Sequence, residues 1–234
     1  MKILQRAEQI IPWVQGPRVL DIGCAAHAMK FDNPHWLHGL LCKRFPDTVG
    51  LDIRPDLVEQ LRELGFANVN LGNAETFNLG REFDTIVAGD IIEHLSNPGA
   101  FLARAKKHLA PGGRLIITTP YPFCLLGMGY ALVKYPRTTW NLEHTHWVCP
   151  QTLKEACRRA GLQPMYSGLI LDYAALEADS SLAYRALVKS LGLFGRLVPE
   201  RLRCSSILFV ATQVEESDLR QYRTGNIAGE ALLA

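Results

Sequence analysis

Two aspartates and one glycine stand where two apolar runs end. Residues 18–24 read RVLDIGC and residues 49–53 read VGLDI, so Asp21 and Asp52 lie near the ends of the two runs. Short continuous apolar runs are typical of parallel strands that are buried on both faces. Gly23 allows a sharp turn and the close approach of a ligand to the backbone. A glycine turn after one strand and a ribose-binding carboxylate after the next is how a doubly wound α/β sheet holds a nucleoside.

The glycine turn argues against a dinucleotide. A pyrophosphate site has the pattern G-x-G-x-x-G, which brings a helix N-terminus to the phosphates. Residues 23–28 read GCAAHA instead and lack the second and third glycines. An NAD-binding reductase is therefore the weakest of the readings that we consider.

The elements that must position these residues alternate between strand and helix. Apolar residues at helical spacing predict a first helix over 2–15, with a break near Pro12. Asn33 and Pro34 read as the N-cap and first residue of a second helix, which ends near residue 45. The remaining predicted helices are 55–65, 98–109 and 152–160, and the predicted strands are 19–22, 48–53, 69–71, 83–90, one that ends near 120, 162–171 and 206–212.

Four segments follow one another in the order that one family uses. They are VLDIGC at 19–24, GNAE at 72–75, DIIEHL at 90–95 and LAPGGRL at 109–115. Together they resemble the motifs of class I S-adenosylmethionine (SAM)-dependent methyltransferases. The resemblance covers about residues 15–212. It implies an α/β, Rossmann-like sheet of seven strands, mostly parallel with a final antiparallel strand, and helices on both faces.

The third of these segments bears on the substrate. Residues 91–95, IIEHL, resemble the V-x-E-H-L signature of small-molecule methyltransferases such as those of ubiquinone biosynthesis. DNA and amide methyltransferases carry [DN]-P-P-[YF] where this chain has GDII at residues 89–92. The resemblance thus implies a small-molecule acceptor and no nucleic acid.

The same resemblance implies SAM as cofactor and S-adenosylhomocysteine as its product. Asp21 would lie near the cationic end of SAM, the Gly23 turn would pass beneath it, and Asp52 would hold the ribose. Asn73, where the family commonly has aspartate, would accept a hydrogen bond from the adenine amino group, and Ala74 would donate its N–H to a ring nitrogen. The implied cofactor-binding residues are Asp21, Gly23, Cys24, Ala25, Asp52, Ile53, Asn73, Ala74, Gly89 and Asp90.

Three histidines are candidates for the catalytic base. His94 closes the third motif, and residues 144–150, HTHWVCP, resemble the H-x-H-x-x-S/T-P segment of many of these enzymes. His94, His144 or His146 would remove a hydroxyl proton as the methyl group is transferred. A structural role in bracing a lid is the alternative. No metal site is predicted, because the sequence identifies no third ligand for His144 and His146.

Residues 121–147 are predicted to form the wall and lid of a substrate pocket. In this fold, the connection that follows the fifth strand lies over the carboxyl end of the sheet. Its aromatic side chains would provide an apolar surface for the acceptor, although any one of them can simply pack the insert. The substrate-binding candidates are Tyr121, Phe123, Trp140 and Trp147.

Composition limits the partners and the cellular compartment that we expect for this chain. The chain has 234 residues, 48% hydrophobic and 21% charged, and a net charge of +2, which creates no strong field for nucleic acid. Its six cysteines are scattered without a C-x-x-C pair, which is typical of the reducing cytoplasm. An apolar stripe at 187–198, followed by Arg201 and Arg203, would pack on its own domain, on a second subunit in a homodimer, or on a membrane surface.

These observations predict one SAM-binding domain over residues 1–214, with a helical insert at 173–204 and a polar tail at 215–234. The expected activity is transfer of a methyl group to an oxygen, or less favourably a nitrogen, of a small molecule such as a glycan or secondary metabolite. The alternative is a non-catalytic scaffold with the same fold, since Ala25 and Ala28 replace the later glycines of the first motif.

Overall fold

A computed structural model of the chain describes residues 6–25, 31, 33–136, 141–171 and 198–213. The predicted tail and nearly all of the predicted helical insert lie outside these residues, as does Trp140. The predicted domain boundary at residue 214 therefore stays a prediction. No helix among the described residues is long and apolar enough to cross a membrane.

Seven strands form one sheet in the order β3-β2-β1-β4-β5-β7-β6. β1 to β5 run parallel, and β7 lies between β5 and β6 and runs antiparallel to both. This arrangement confirms the predicted fold class. The strands are β1 Val19–Ile22, β2 Val49–Asp52, β3 Val69–Leu71, β4 Phe83–Gly89, β5 Leu109–Pro120, β6 Leu162–Ile170 and β7 Ser206–Gln213.

Helices cover both faces of the sheet because most strand residues are apolar on both sides. Leu20, Ile86 and Leu115 pack on one face together with residues of α4 and α6, and Val19 and Val87 pack on the other face with residues of α1 and α2. The described α-helices are α1 Arg6–Ile10, α2 Leu37–Arg44, α3 Pro55–Glu63, α4 Pro98–His108, α5 Leu125–Val133, α6 Pro150–Arg159 and α7 Glu200–Arg203.

Proline and glycine positions account for several helix ends. Pro55 begins α3, and Gly65 follows the helix with φ of 93°. The side chain of Asn97 accepts a hydrogen bond from the Ala100 amide at the start of α4. Near the N-terminus, α1 gives way to a 3₁₀ turn over Ile11–Trp13, since Pro12 cannot donate the next helical hydrogen bond.

The predicted start of the second helix at Asn33 and Pro34 is wrong, because α2 begins three residues later. The side chain of Asn33 accepts a hydrogen bond from the His35 amide at 2.8 Å and forms a local turn. Trp36 is then buried, and its Nε1 donates to the carbonyl of Cys24 at 2.9 Å. Burial of this indole requires an extended residue at position 36, so the helix begins after it.

Candidate active site

The glycine turn after β1 is tied to the neighbouring strand. The Gly23 amide donates to the Leu51 carbonyl at 2.8 Å, and its φ is 78°. A Cβ atom at this position would collide with the side chain of Ile91. Glycine is therefore required both for the backbone conformation and for the close packing of the turn.

Asp52 lies at the carboxyl end of β2 and is almost buried. Its Oδ2 accepts a hydrogen bond from the Ala25 amide at 2.9 Å, and its Oδ1 accepts one from the Arg54 amide at 3.0 Å. Each carboxylate oxygen has a second lone pair for a ligand. Ile53, the next residue, is 62% exposed and leaves an apolar surface beside this carboxylate.

Asn73 and Ala74 lie beyond the end of β3, the strand whose Leu71 pairs with Asp52. Asn73 is exposed, and its Oδ1 accepts a hydrogen bond from the Glu75 amide at 2.7 Å. Within the part of the chain that the structure describes, the amide of Ala74 has no acceptor, although Ala74 itself is buried. An unpaired donor at a buried residue is the kind of group that a bound ligand satisfies.

Gly89 ends β4, and Asp90 follows with φ of 53°, an uncommon conformation for a residue with a side chain. The Asp90 amide donates to the Thr118 carbonyl at 2.9 Å, and Thr118 Oγ1 donates back to Asp90 Oδ1 at 3.0 Å. Asp90 Oδ2 forms an ion pair with Arg6 of α1. The N-terminal helix is thus attached to the carboxyl end of β4.

Asp21 and Cys24 face the interior. Asp21 Oδ2 lies 3.0 Å from His38 Nδ1, and both side chains are buried. Cys24 is buried beside them, and burial raises the pKa of its thiol far above the usual range, so it stays protonated.

The structure brings His94 and His144 together. Their ring centroids lie 4.7 Å apart in an edge-to-face arrangement. His94 closes the 3₁₀ turn after β4, whereas His144 belongs to the predicted lid. Partial burial lowers the pKa of His144, and the charge of His94 lowers it further by a smaller amount. Both effects favour the neutral form of His144, which can accept a proton.

Thr145 joins the lid to the turn after β4. Its amide donates to the Glu93 carbonyl at 2.8 Å, and its Oγ1 lies 2.8 Å from the Leu95 carbonyl oxygen. His146 is not part of the pair of rings, and its Nδ1 lies 2.8 Å from Thr145 Oγ1. The hydroxyl of Thr145 has only one proton, which it donates to the Leu95 carbonyl, so its oxygen is an acceptor toward His146. This geometry favours the His146 tautomer with its proton on Nδ1.

Glu93 is a functional candidate that sequence reasoning missed. Its side chain is buried, and Thr119 Oγ1 donates to its Oε2 at 3.0 Å. Its Oε1 is buried and has no hydrogen-bond partner among the described residues. Burial raises the pKa of Glu93 to about 7. A carboxylate within the apolar segment IIEHL is the sequence signal that could have identified it.

Glu93, His94 and His144 each present one ligand atom within 4.8 Å of the others. Two imidazoles and one carboxylate are a ligand set that suits first-row transition metals. His146, which the sequence analysis paired with His144, is not part of this cluster, and the expectation of no metal site stays a prediction.

Three of the four aromatic residues predicted to bind the substrate lie in the described part of the chain. The rings of Tyr121 and Phe123 meet edge to face with centroids 5.7 Å apart. Phe123 and Trp147 are each about half exposed. Burial raises the pKa of the Tyr121 phenol, so it stays a neutral hydrogen-bonding group. Helix α5 follows these residues and forms part of the predicted lid.

The sheet order, with the antiparallel β7 inserted between β5 and β6, defines a class I methyltransferase fold. A family model described as a methyltransferase domain matches residues 2–166, which is more than half of the chain, and the chain therefore belongs to this methyltransferase family.

Within the aligned segments, curated relatives are identical to the chain at about a quarter of the positions. A ubiquinone biosynthesis O-methyltransferase from Cereibacter sphaeroides is 27% identical over 165 residues, which are 64% of this chain and 62% of the relative. One from Azorhizobium caulinodans is 27% identical over 172 residues, 68% of this chain and 64% of the relative. The chain thus spans slightly less than two thirds of these relatives' lengths.

Solved structures resemble the chain over most of its length. A SAM-dependent methyltransferase from Archaeoglobus fulgidus is 20% identical with a TM-score of 0.61, covering 89% of this chain and 91% of the other. A putative methyltransferase from Bacillus halodurans is 16% identical with a TM-score of 0.57, covering 90% and 99%. At these identities the likeness supports the fold alone.

Proposed function

We propose that this protein transfers the methyl group of SAM to an oxygen of a small molecule. The observation that carries the proposal is the family match over residues 2–166 of a chain with a glycine turn and a carboxylate at adjacent strand ends. SAM would supply a methyl group that its sulfonium already activates. The protein would align the two reactants and exclude water, which can lower the barrier by several kcal/mol.

The nucleoside half of SAM fits the described residues. Asp52 retains lone pairs for the ribose hydroxyls, and the Ala74 amide, which has no acceptor among the described residues, would bind a ring nitrogen of adenine. The exposed Ile53 would cover one face of the adenine, because an apolar surface beside a polar anchor suits a flat ring. Gly23, Cys24 and Ala25 would form the turn beneath the cofactor.

The methionine half would lie toward Gly89 and Asp90. The backbone of Asp90 is held by Thr118, and its carboxylate is held by Thr118 and Arg6. Asp21 would act through the charge that it places beneath the turn, since its side chain is engaged by His38.

Proton removal from the acceptor would fall to the pair of His94 and His144. His144 has a lowered pKa, so at neutral pH it can accept the hydroxyl proton as the C–O bond forms. His146 is a second candidate, because the tautomer favoured above leaves its Nε2 lone pair free to accept a proton. Glu93 lies close to the pair and would stabilise an imidazolium once the proton has moved.

The acceptor would be a ring-bearing hydroxylated molecule such as a glycan or secondary metabolite. The half-exposed Phe123 and Trp147 support a flat or ring-shaped partner, with Tyr121 beside them and Trp140 in the same predicted lid. The names of the curated relatives, which are O-methyltransferases, support oxygen over nitrogen. We propose no nucleic-acid partner, and a homodimer stays a hypothesis.

Calorimetric titration with SAM and with S-adenosylhomocysteine tests the cofactor site. We expect micromolar binding that weakens at least about tenfold in Asp52→Ala, since a hydrogen bond to a charged group contributes about 1.5–3 kcal/mol. Asp56→Ala is the matched control, because Asp56 is an exposed carboxylate on the next helix that pairs with Arg54. Labelled methyl transfer to a panel of phenols, catechols and sugars then tests the activity.

The outcomes separate the two hypotheses. Binding that is lost in Asp52→Ala, together with label in an acceptor, supports the enzyme. The absence of heat and of thermal stabilisation with both ligands would contradict it and would favour the non-catalytic scaffold.

A further inference from the structure

The carboxylate of Asp21 is held by a side chain of α2. Asp21 lies two residues after Val19, so both side chains leave β1 on the face of the sheet that α2 covers. There, Oδ2 of Asp21 accepts a hydrogen bond from Nδ1 of His38 at 3.0 Å, and both side chains are buried. In the part of the chain that the structure describes, no other group donates to this carboxylate. The orientation of the carboxylate therefore depends on His38.

The sheet leaves room for the imidazole at Gly50 of β2, the residue that pairs with Asp21. A Cβ atom at Gly50 would lie 2.9 Å from Cε1 of His38, which is closer than packed atoms approach one another. The rings of Trp36 and Phe66 lie against the imidazole, with centroids 5.5 and 5.8 Å from its own. Close packing by these neighbours holds the ring with Nδ1 toward the carboxylate.

The charge of His38 suits a buried carboxylate. Burial by itself lowers the pKa of His38, but its hydrogen bonds and charge interactions with Asp21 and Cys42 outweigh burial and raise the pKa to about 9. His38 is therefore an imidazolium at neutral pH and compensates the charge of Asp21. A buried carboxylate that lacks such a partner takes up a proton or turns toward water.

Two cysteines are the other titratable groups near the imidazole among the described residues. Cys42, one turn further along α2, lies with its Sγ 3.5 Å from Nε2 of His38. Cys24 lies on the turn after β1, and burial raises the pKa of its thiol far above the usual range, so it stays protonated. Asp21 is thus the carboxylate that faces His38 from the sheet.

We propose that His38 is a positioning residue of the cofactor site, which holds the charge of Asp21 beneath the Gly23 turn so that this charge attracts the ammonium group of SAM. The inference rests on the proposed function, because it assumes that SAM binds at this turn. Asp21 belongs to the strand that leads into Gly23, whereas the imidazolium belongs to α2. The negative member of the pair is therefore the one next to the turn.

His38 thereby acts on one half of the cofactor. In the proposed site, Asp52 and Ala74 bind the ribose and the adenine from the ends of β2 and β3, and neither contacts His38. The ammonium group belongs to the methionine half. Loss of the His38 donor should thus weaken ligands that carry this half and spare a nucleoside that lacks it, whereas a general loosening of the turn would weaken both.

Two amide substitutions separate the two nitrogens of His38. Asparagine places its amide nitrogen near the position of Nδ1 and glutamine near that of Nε2, so His38→Asn keeps a donor toward Asp21 and His38→Gln does not. Calorimetry measures the affinities for SAM and S-adenosylhomocysteine. Displacement of S-adenosylhomocysteine measures the affinity for methylthioadenosine, a thioether nucleoside without the ammonium group.

We expect His38→Gln to weaken SAM and S-adenosylhomocysteine about tenfold and methylthioadenosine less than about twofold, as for the loss of a hydrogen bond to a charged group. His38→Asn should stay within about threefold of the unmodified protein for all three ligands, because the donor is kept. Asp52→Ala should weaken all three, since its contact is with the ribose.

His108→Gln is the matched control. His108 is a second buried histidine, at the end of α4, and its ring contacts the Leu79 amide and the Arg104 carbonyl at 3.1 and 2.8 Å. Its replacement removes a buried imidazole at a distance from the turn. We expect the affinities for all three ligands to stay unchanged in this variant.

Three results would overturn the proposal: unchanged affinities in His38→Gln, equal losses for methylthioadenosine and S-adenosylhomocysteine, or equal losses in the two His38 variants. If the unmodified protein binds neither SAM nor S-adenosylhomocysteine, the proposed function fails, and the inference fails with it. If neither His38 variant folds, NMR spectra of the labelled histidine side chains decide. The Nδ1–H signal of His38 should then shift with S-adenosylhomocysteine and not with methylthioadenosine, and any other pattern contradicts the proposal.

Discussion

The two halves of the proposed site, a cofactor half with Gly23 and Asp52 and an acceptor half with His94 and His144, are built in different ways. In the cofactor half, Gly23 and Asp52 are held by backbone amides and carbonyls of adjacent parallel strands, at 2.8–3.0 Å. In the acceptor half, His94 and His144 meet across fifty residues of chain, close to the buried Glu93, whose Oε1 has no hydrogen-bond partner in the part of the chain that the structure describes. The positions of Gly23 and Asp52 thus follow from the pairing of adjacent strands in the sheet. His94 and His144, in contrast, come together only when the predicted lid packs on the turn after β4.

The comparison implies that substitutions can impair catalysis without impairing cofactor binding. His94→Gln and His144→Gln should lower kcat by about 10²–10⁴, the usual contribution of general base catalysis, and leave the affinity for S-adenosylhomocysteine unchanged. His35→Gln, a change at an exposed histidine, is the control. Steady-state kinetics and calorimetry on the same variants measure both quantities. Loss of cofactor affinity in the histidine variants would show that the halves are not separate.

The packing of the glycine turn can be separated from its backbone strain. Gly23 and Gly112 have φ of 78° and 71°, but only at Gly23 would a Cβ collide with a side chain, that of Ile91. Gly112→Ala should lower the free energy of unfolding by about 1–2 kcal/mol, and Gly23→Ala by about 2–4 kcal/mol. Urea denaturation measures both. Equal losses would mean that Ile91 moves aside without cost.

Glu93 makes the acceptor half sensitive to pH. Burial raises its pKa from 4.5 to about 7, so the folded protein binds this proton more tightly than the unfolded chain. Its contribution to stability is complete below pH 4.5 and is lost as the pH rises through about 7. Between about pH 4 and 8, Glu93→Gln should therefore gain on the order of 3 kcal/mol of unfolding free energy relative to the wild type.

Denaturant unfolding at several pH values, with a chelator present, checks this expectation. The comparison with the wild type at each pH removes the contributions of the other titrating groups. A constant difference between the two proteins across this range would show that the pKa of Glu93 is the same in the folded and unfolded states.

The smallest expected effect concerns the attachment of the lid. Thr145→Val removes the hydroxyl that contacts the carbonyls of Glu93 and Leu95. It should cost about 1 kcal/mol of stability and raise KM for the acceptor more than it changes cofactor affinity. Thr76→Val, at an exposed position outside the lid, is the control. An unchanged KM would show that backbone hydrogen bonds alone hold the lid.

Most of the fold could be predicted because its signals are local. The apolar runs, Pro55 before α3 and Gly65 after it each restrict a few neighbouring residues, and the structure confirms them. The predicted start of α2 was wrong because a contact between distant residues determines it. Asn33 has the side chain of a helix cap, but burial of the Trp36 indole against the Cys24 carbonyl decides where the helix begins.

The sequence by itself determined the sheet, its family and the strand ends that carry the predicted cofactor residues, because each depends on short-range pattern and on the parallel pairing that follows. Only the tertiary structure decided that Glu93, His94 and His144 form one cluster, and that Asp21 reaches Cys42 through His38. In each cluster, two residues of one short segment meet a residue from a distant part of the chain, His144 in the first and Asp21 in the second. Their contact depends on how helices and lid pack on the sheet, which no spacing along the chain specifies.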